Sequence, residues 1–379
     1  MNYKYIQSII LGIILLMCHS CKEGMMTVNH QGVVRKDAHV EMLDSVVLKM
    51  DSTSMCGNFF MTKGVLYFAD TYFDKVFSFR LDDGQIQSSL FGKGNAHNEI
   101  TNFMYMYPLS NNDSIIFFID SSNGFFTFSD TSNINKHGIV DFGRKKVNKG
   151  DYDSPSVYNI MEMTDFDFKI SQINDSISIM PVSLIDRSLG KNASERFKSG
   201  HIFASLNMKS MKVENVFGRF PDVYVQKPTN LFDFFSYDMS GDTIFVNHCT
   251  DSMVYVYKYP DELLFTMGYE CASVDRNYTT GYDIDPSVFE KDIEHVGINT
   301  HVYYVKDNGM LLRTVNSGAK YGSKYFLQVY KNCDLVAEEE MPAFFKCIGH
   351  VGDTFYGVNI VPIEKEGKET FTLYKFKIR

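Results

Sequence analysis

The sequence contains no tryptophan, and this absence excludes a large class of repeat proteins. The Trp-Asp pair that marks WD40 repeats cannot occur, and the paired glycines of kelch repeats are also missing. Blocks of basic residues are absent too, since 37 Lys and Arg stand against 46 Asp and Glu, for a formal net charge of -9. Because nucleic-acid binding requires clustered positive charge, we expect no nucleic-acid partner.

Cysteine is scarce and odd in number. Beyond Cys18 and Cys21, the sequence has Cys56, Cys249, Cys271, Cys333 and Cys347. A disulfide framework needs pairs at recurring spacing, so we interpret these five as small hydrophobic residues, with one incidental bridge left open. The ten histidines are dispersed, and no Gly-x-Ser-x-Gly turn occurs. The sequence therefore indicates neither a zinc site nor a serine nucleophile.

No apolar run is long enough to span a bilayer. Lys4 precedes the longest run, residues 9–17, whereas a membrane-spanning helix needs about 20 residues. We therefore predict a cleaved signal peptide over residues 1–20 in preference to an uncleaved anchor. Cys21 follows Ser20, which resembles the lipobox of bacterial lipoproteins, and we expect Cys21 to be lipidated, with Cys18 as the alternative. The polar residues 21–40 are typical of a flexible tether.

What the sequence does contain is a repeated pair of strands. Six times a short turn runs into an apolar strand, at Val65, Ile115, Ile177, Ile244, Leu311 and Phe355. Six further strands rich in aromatic and β-branched residues follow, at 76–79, 125–128, 202–206, 254–257, 326–330 and 372–376. Four antiparallel strands joined by such turns form one blade, so residues 41–379 predict an all-β, six-bladed β-propeller of four-stranded antiparallel blades.

The fourth strand of each of the first four blades is predicted to precede a glycine, as at 139–142 before Gly143 in the second blade, and that of the fifth blade is predicted at 335–340 without one. The sixth blade lacks such a strand because the sequence stops at Arg379. An unpaired sheet edge is a liability, so we predict that the N-terminal strand 45–49 completes this blade and closes the ring.

Blades three to five exceed the usual 40–50 residues or so and carry insertions at 183–199, 220–230 and 270–297. In the longest insertion, Asp285 and Pro286 predict the start of a short helix near 285–296, with Gly297 near its end. Elsewhere we expect almost no helix. Tyr278 and Tyr282 lie in the same insertion and offer rings for stacking on a sugar or peptide.

The chain resembles the TolB-like six-bladed propeller lipoproteins, a group labelled "6-bladed beta-propeller". The resemblance rests on Ser20-Cys21, on the blade pattern over 41–379 and on the junction 91–99, which is a divergent form of the glycine-rich turn that follows the first blade in that group. It implies a protein of the bacterial cell envelope, anchored through its N-terminal Cys in a lipid bilayer, and we expect this to be the outer membrane. It implies no catalytic residues.

In a propeller, the loops after the second strands share one face with the loops between blades, and ligands usually bind there. On this loop face we expect Asp70, Tyr72, His97, Asn98, Asp120, Arg187 beside Asp186, Asn247 beside His248, and Asn316. Asp70 and Asp120 occupy the same place in their repeats, and a repeated Asp at a strand end is more often a turn former than a ligand.

Two functions from different classes fit these features. The first is a membrane-tethered binding or scaffold module that holds a protein, peptide or glycan on its loop face, without a cofactor. The second is a divalent-metal-dependent hydrolase or lactonase with Ca²⁺ held by carboxylate and amide oxygens at the channel mouth. We favour the first because the sequence shows no catalytic constellation and a fold alone specifies no activity.

Overall fold

The computed structural model of the chain describes residues 29–94, 96, 99–109, 112–128, 134–144, 151–161, 168–185, 193–229, 232–281, 286–365 and 367–379. Within these ranges no helix is long and apolar enough to cross a membrane. Strand β1 (Val40–Val47) precedes six sheets, which are the blades of a six-bladed propeller. The predicted fold class is confirmed.

The blades follow one another along the chain. Blade 1 comprises β2 (Gly57–Thr62), β3 (Val65–Asp70), β4 (Lys75–Phe79) and β5 (Ile86–Leu90), and blade 2 comprises β6 (Phe103–Leu109), β7 (Asn112–Asp120), β8 (Gly124–Phe128) and β9 (Ile134–Ile139). Blade 3 comprises β10 (Tyr158–Ile160), β11 (Ser171–Gln172), β12 (Ile177–Leu184), β13 (His201–Asn207) and β14 (Lys212–Arg219). Blade 4 comprises β15 (Phe235–Ser240), β16 (Thr243–His248), β17 (Val254–Lys258) and β18 (Glu262–Met267).

Blade 5 comprises β19 (Ile298–Val305), β20 (Met310–Asn316), β21 (Tyr325–Lys331) and β22 (Asp334–Met341). Blade 6 comprises β23 (Phe345–Val351), β24 (Thr354–Asn359) and β27 (Thr372–Ile378), with a small hairpin of β25 (Ile363–Lys365) and β26 (Lys368–Thr370) between the last two. The first strands of neighbouring blades contact each other around the ring, as β2 does with β6 and β23. The centre of the ring is therefore lined by first strands.

The ring closes through β1, as predicted. β1 pairs antiparallel with β27, with Val46 opposite Leu373, and the sheet order of blade 6 is β1-β27-β24-β23. The next residue after β1, Leu48, is buried against the core of blades 1 and 6, which includes Phe371 and Leu373. The N-terminal and C-terminal strands thus share one sheet, and its outer edge is β1.

Residues 29–39, which we call the strap, lie along the outer edges of blades 4 and 5. His30 forms a parallel bridge with Thr266 of β18, and Val34 forms one with Leu335 of β22. The amide of Ala38 then donates to the carbonyl of Val336. The composition of residues 21–40 predicts a flexible tether. Residues 29–39 are instead held on the ring by backbone hydrogen bonds, which no side-chain pattern encodes.

The fourth strand of blade 2 is not where the sequence predicts it. The prediction at 139–142 is wrong, because β9 ends at Ile139 and only an isolated bridge from Asp141 to Lys212 of blade 3 follows. β9 is an outer strand whose side chains are mostly exposed, so its sequence carries little apolar alternation.

Three α-helices occur in the described residues: α1 (Ala193–Ser199), α2 (Asp222–Gln226) and α3 (Pro286–His295). Short 3-10 turns add Pro155–Val157 and Ala319–Tyr321. α3 confirms the predicted helix in the longest insertion. The two shorter helices, α1 and α2, lie in the other two predicted insertions and contact each other.

Candidate functional site

A cavity of about 390 Å³ opens where the first strands of the blades end. Every blade contributes to its wall, through Phe59–Gly64 of blade 1, Tyr107 and Pro108 of blade 2, Lys169 of blade 3, Asp238 and Met239 of blade 4, Tyr303, Tyr304, Lys306 and Asp307 of blade 5, and Lys346–His350 of blade 6. The cavity is therefore one mouth of the central channel, and we call it the channel cavity.

The channel cavity lies opposite the loop face that the sequence predicts as the binding face. Its rim includes turns between first and second strands, such as Lys63 and Gly64 of blade 1 and Lys306 and Asp307 of blade 5. The predicted residues Asp70, Asp120, Asn247 and Asn316 instead stand at or near the ends of second strands. In an antiparallel pair these positions are at opposite ends of the sheet.

Two predicted residues of the loop face, Asp70 and Asp120, organise turns. Asp70 is buried, and its carboxylate accepts bonds from the Ser54 hydroxyl at 2.5 Å and from the amides of Ser54, Tyr72 and Phe73 at 2.6 to 3.1 Å. Asp120 accepts bonds from the amides of Ser122 and Gly124, both at 2.8 Å. Both oxygens of Asp70 are thus engaged by its own turn and by Ser54 ahead of β2, and Oδ1 of Asp120 is engaged by its own turn.

The other described residues of the loop face are dispersed. Asn247 is buried and donates to the Ser236 hydroxyl at 3.1 Å, and Asn316 accepts from the amide of Gly318 at 2.7 Å. Tyr72 is exposed and contacts only the ring of Phe73 among the aromatic side chains described. His97, Asn98, Asp186 and Arg187 lie outside the described residues, as does Cys21.

The longest insertion is fastened to the ring rather than presented to a ligand. The Tyr278 hydroxyl bonds to the carbonyl of Gly297, and its ring packs on Phe232 at 5.1 Å. Arg276 donates to the same carbonyl at 3.1 Å and to Oδ1 of Asn299 at 2.8 Å. Tyr278 therefore has a structural role, and Tyr282 lies outside the described residues.

An ion pair crosses the wall of the channel cavity. Nζ of Lys169 lies 3.8 Å from Oδ2 of Asp238, so blade 3 is joined electrostatically to blade 4. The same Oδ2 accepts the amide of Tyr304 in blade 5 at 2.8 Å, and Oδ1 accepts the amide of Met239 at 3.0 Å. Backbone donors from two blades thus hold the Asp238 carboxylate in place.

A second polar chain stands at the rim between blades 5 and 6. The Tyr303 hydroxyl lies 2.8 Å from Nδ1 of His350, and Nε2 of His350 lies 3.6 Å from Oδ2 of Asp307. The phenol, the imidazole and the carboxylate are therefore connected in sequence. Such a chain can accept or donate hydrogen bonds to a polar ligand in the cavity.

The remaining wall combines aromatic rings with buried charge. Tyr304 stacks on Phe245 at 4.4 Å, and Nζ of Lys346 lies 5.7 Å from the centroid of the Tyr107 ring. Burial raises the pKa of the neighbouring Cys347 thiol to about 12, while the positive charges of Lys169 and Lys346 oppose that rise. The thiol is therefore protonated and unreactive at neutral pH.

Metal chemistry has no visible site in the part of the chain that the structure describes. There, no group of three or more His, Cys, Asp or Glu side chains is arranged to hold a metal ion. Asp238 and Asp307, the two carboxylates described in the channel cavity, stand among lysines.

The residues of the channel cavity are not among the predicted site residues, although the sequence contains a signal for them. The innermost strand of blade 6 reads FKCIGHV, so Lys346 and His350 interrupt an otherwise apolar run. Buried strands rarely contain Lys, and such a residue at a first strand marks a polar channel wall.

Comparison with known proteins supports the propeller fold and identifies no family. No model of a known protein family matches the chain, and no curated protein matches it. Among solved structures, the chain is similar to a member of the DUF4221 family from Bacteroides vulgatus, with 13% identity, a TM-score of 0.65 and coverage of 91% of this chain and 99% of that one. It is also similar to a protein from Bacteroides fragilis that is described as exported, with 11% identity, a TM-score of 0.51 and coverage of 93% and 98%. At this identity the likeness shows a shared fold.

Proposed function

We propose that this chain is an exported binding protein of the bacterial cell envelope that takes a small polar ligand, such as a short glycan or peptide, into the channel cavity. A cavity of about 390 Å³ that draws its wall from all six blades is the observation that carries this proposal. Ligand sites usually measure about 300–1,000 Å³ and combine apolar walls with a few placed polar groups.

The chemistry of the wall suits such a ligand. Aromatic rings, among them Tyr107 and Tyr304, provide flat apolar surface, while Asp238, His350 and Lys169 provide acceptors and donors. Sugars and peptides present the same mixture of apolar faces and hydrogen-bonding groups. The loop face has fewer groups to offer, because Asp70 and Asp120 bond to their own turns.

Placement in the envelope, at the outer membrane, rests on the N-terminal segment. An apolar run and Ser20-Cys21 fit a lipoprotein signal, and the structurally similar protein from Bacteroides fragilis is described as exported. Metabolic labelling with a palmitate analogue tests the anchor. Labelling that is lost in Cys21→Ser and kept in Cys18→Ser supports it, and labelling unaffected by Cys21→Ser contradicts it.

A rim substitution tests the binding site. Asp307→Trp places a bulky ring at the mouth of the cavity, at a side chain that is 86% exposed and therefore tolerant of change. Asp353→Trp is the matched control, because Asp353 lies in the corresponding turn of blade 6 but does not line the cavity. Thermal unfolding of the full chain is measured with a panel of mono- to trisaccharides and di- and tripeptides.

A ligand that binds in the cavity raises the melting temperature of the wild type and of Asp353→Trp, and not that of Asp307→Trp. Equal stabilisation of all three proteins places the site elsewhere. A panel in which no member stabilises the wild type contradicts the proposal for these two ligand classes.

A further inference from the structure

We infer that the channel cavity selects ligands that carry an oxyanion, a carboxylate or a phosphate, and that Lys169 is the residue that holds this group. The inference rests on the proposed function, since it names the ligand class of the same cavity. It goes beyond that function because neutral sugars and peptides would otherwise fit equally well.

Lys169 has unused hydrogen-bonding capacity inside the cavity. Its side chain is only 20% exposed, and its sole described partner, Oδ2 of Asp238, is 3.8 Å away, beyond hydrogen-bond distance. Amides of Met239 and Tyr304 already bond to the two oxygens of that carboxylate. An ammonium group that lines a cavity and has no acceptor within hydrogen-bond distance can form a charge-assisted hydrogen bond with an incoming anion.

A second ammonium lies near the same point. Lys346 is 6% exposed, on the first strand of blade 6, with its Nζ above the Tyr107 ring. The positive charges of Lys169 and Lys346 and the negative charge of Asp238 all act on the Cys347 thiol in the cavity wall. Two cations, from blades 3 and 6, thus stand against one carboxylate around this buried atom, and the fields of the two cations add within the cavity.

The rim extends this positive region. Lys63 and Lys306 occupy turns of blades 1 and 5, so the described lining contains four lysines against two aspartates, Asp238 and Asp307. The whole chain, in contrast, has a formal net charge of -9. A concave site of the opposite sign to the rest of the surface concentrates anions at its mouth.

Iodide provides a direct probe of this site that does not require the natural ligand. Crystals of the full chain are soaked in sodium iodide, and anomalous scattering locates the bound ions. We expect an ion in the cavity near Nζ of Lys169 in the wild type and in Lys209→Met, an exposed lysine on a turn outside the cavity. Lys169→Met should lose this ion, because its apparent affinity for iodide should fall by a factor of about ten or more.

Competition identifies the oxyanion. Displacement of the iodide by sodium acetate and not by sodium phosphate indicates a carboxylate ligand, and the reverse indicates a phosphate. Unchanged thermal unfolding of Lys169→Met confirms that the variant is folded. If it is not folded, Lys169→Gln, which keeps a polar side chain that can donate hydrogen bonds and removes its charge, serves in its place.

The outcomes separate this inference from the proposed function. Iodide that binds only outside the cavity, or that persists at the same place in Lys169→Met, overturns the inference. A soak with the neutral disaccharide trehalose is the companion experiment. Trehalose in a cavity that excludes iodide overturns the anion inference and leaves the binding site intact, whereas exclusion of both probes counts against both proposals.

Discussion

The Tyr303 hydroxyl and Nδ1 of His350 are 2.8 Å apart, and their hydrogen bond joins blade 5 to blade 6 at the rim of the channel cavity. Tyr303 belongs to β19 and His350 to β23, two first strands that share no sheet. Side-chain bonds of this kind connect the separate sheets of neighbouring blades, together with packing and a few backbone bonds such as the bridge from Asp141 to Lys212.

Tyr303→Phe should therefore lower the free energy of unfolding by about 1 kcal/mol, because it removes this bond and leaves the His350 nitrogen without its partner. Tyr304→Phe is the matched control, since its ring stacks on Phe245 and that contact survives the loss of the hydroxyl. Urea denaturation measures both. Equal losses in the two variants would show that the bond between the blades contributes nothing specific.

Closure of the ring depends on Leu48, which is 3% exposed next to Leu373 and Phe371. Leu48→Ala should lower the free energy of unfolding by about 2–5 kcal/mol, through lost burial and the cavity left behind. Val47→Ala, one residue earlier and 38% exposed, should cost less than about 1 kcal/mol. The prediction fails if both substitutions have the same effect on chemical denaturation.

Gly32 fixes the strap against blade 5. Its φ is +96°, and a Cβ built there would lie 2.0 Å from the carbonyl oxygen of Cys333. Gly32→Ala should detach the strap, seen as faster amide hydrogen exchange over residues 29–38 with slow exchange retained in β27. Gly352→Ala is the control, because Gly352 also has positive φ but has open space around it. Strap protection unchanged in Gly32→Ala would rule out this role.

His248 should make the protein less stable in acid. The side chain is fully buried among aromatic rings, including Tyr224 and Phe235, and burial lowers its pKa to about 3. In the unfolded chain a His titrates near pH 6.5, so the unfolded state binds the proton first as the pH falls. The contribution of neutral His248 to the free energy of unfolding is complete above about pH 6.5. Below that pH it falls by about 1.4 kcal/mol per pH unit, down to about pH 3.

His248→Phe removes this titration. Between pH 7 and pH 5 its free energy of unfolding should fall by about 2 kcal/mol less than that of the wild type. His39→Phe, at an exposed position, should keep the wild-type pH dependence. Parallel pH profiles for the wild type and His248→Phe would contradict the assignment.

The strands were predictable where turn residues meet β-branched and aromatic runs. Val76 to Phe79 and Val254 to Tyr257 fall within β4 and β17, because a central blade strand must be apolar to pack on both neighbours. β9 was misplaced because an outer strand with exposed side chains has no such requirement. The hydrogen bonds of the strap could not be predicted from the sequence either, because backbone groups form them and every residue type carries such groups.

The candidate site was harder to predict for a different reason. Asp70 and Asp120 stood out because they repeat, yet the repetition reflects a turn that recurs in blades 1 and 2. Lys169, Tyr303 and His350 do not repeat, and they meet only because a closed ring brings first strands from different blades to one axis. Asymmetry between blades, rather than the shared pattern, is the better guide to a site.

The position of the strap has a mechanical consequence. The chain upstream of the described residues joins the strap at Asn29, at the outer edge of blade 4 beside Thr266, close to where β18 ends. Tension applied to that upstream chain first loads the bridges at Thr266 and Leu335 in shear, before any force reaches the strand that seals the ring.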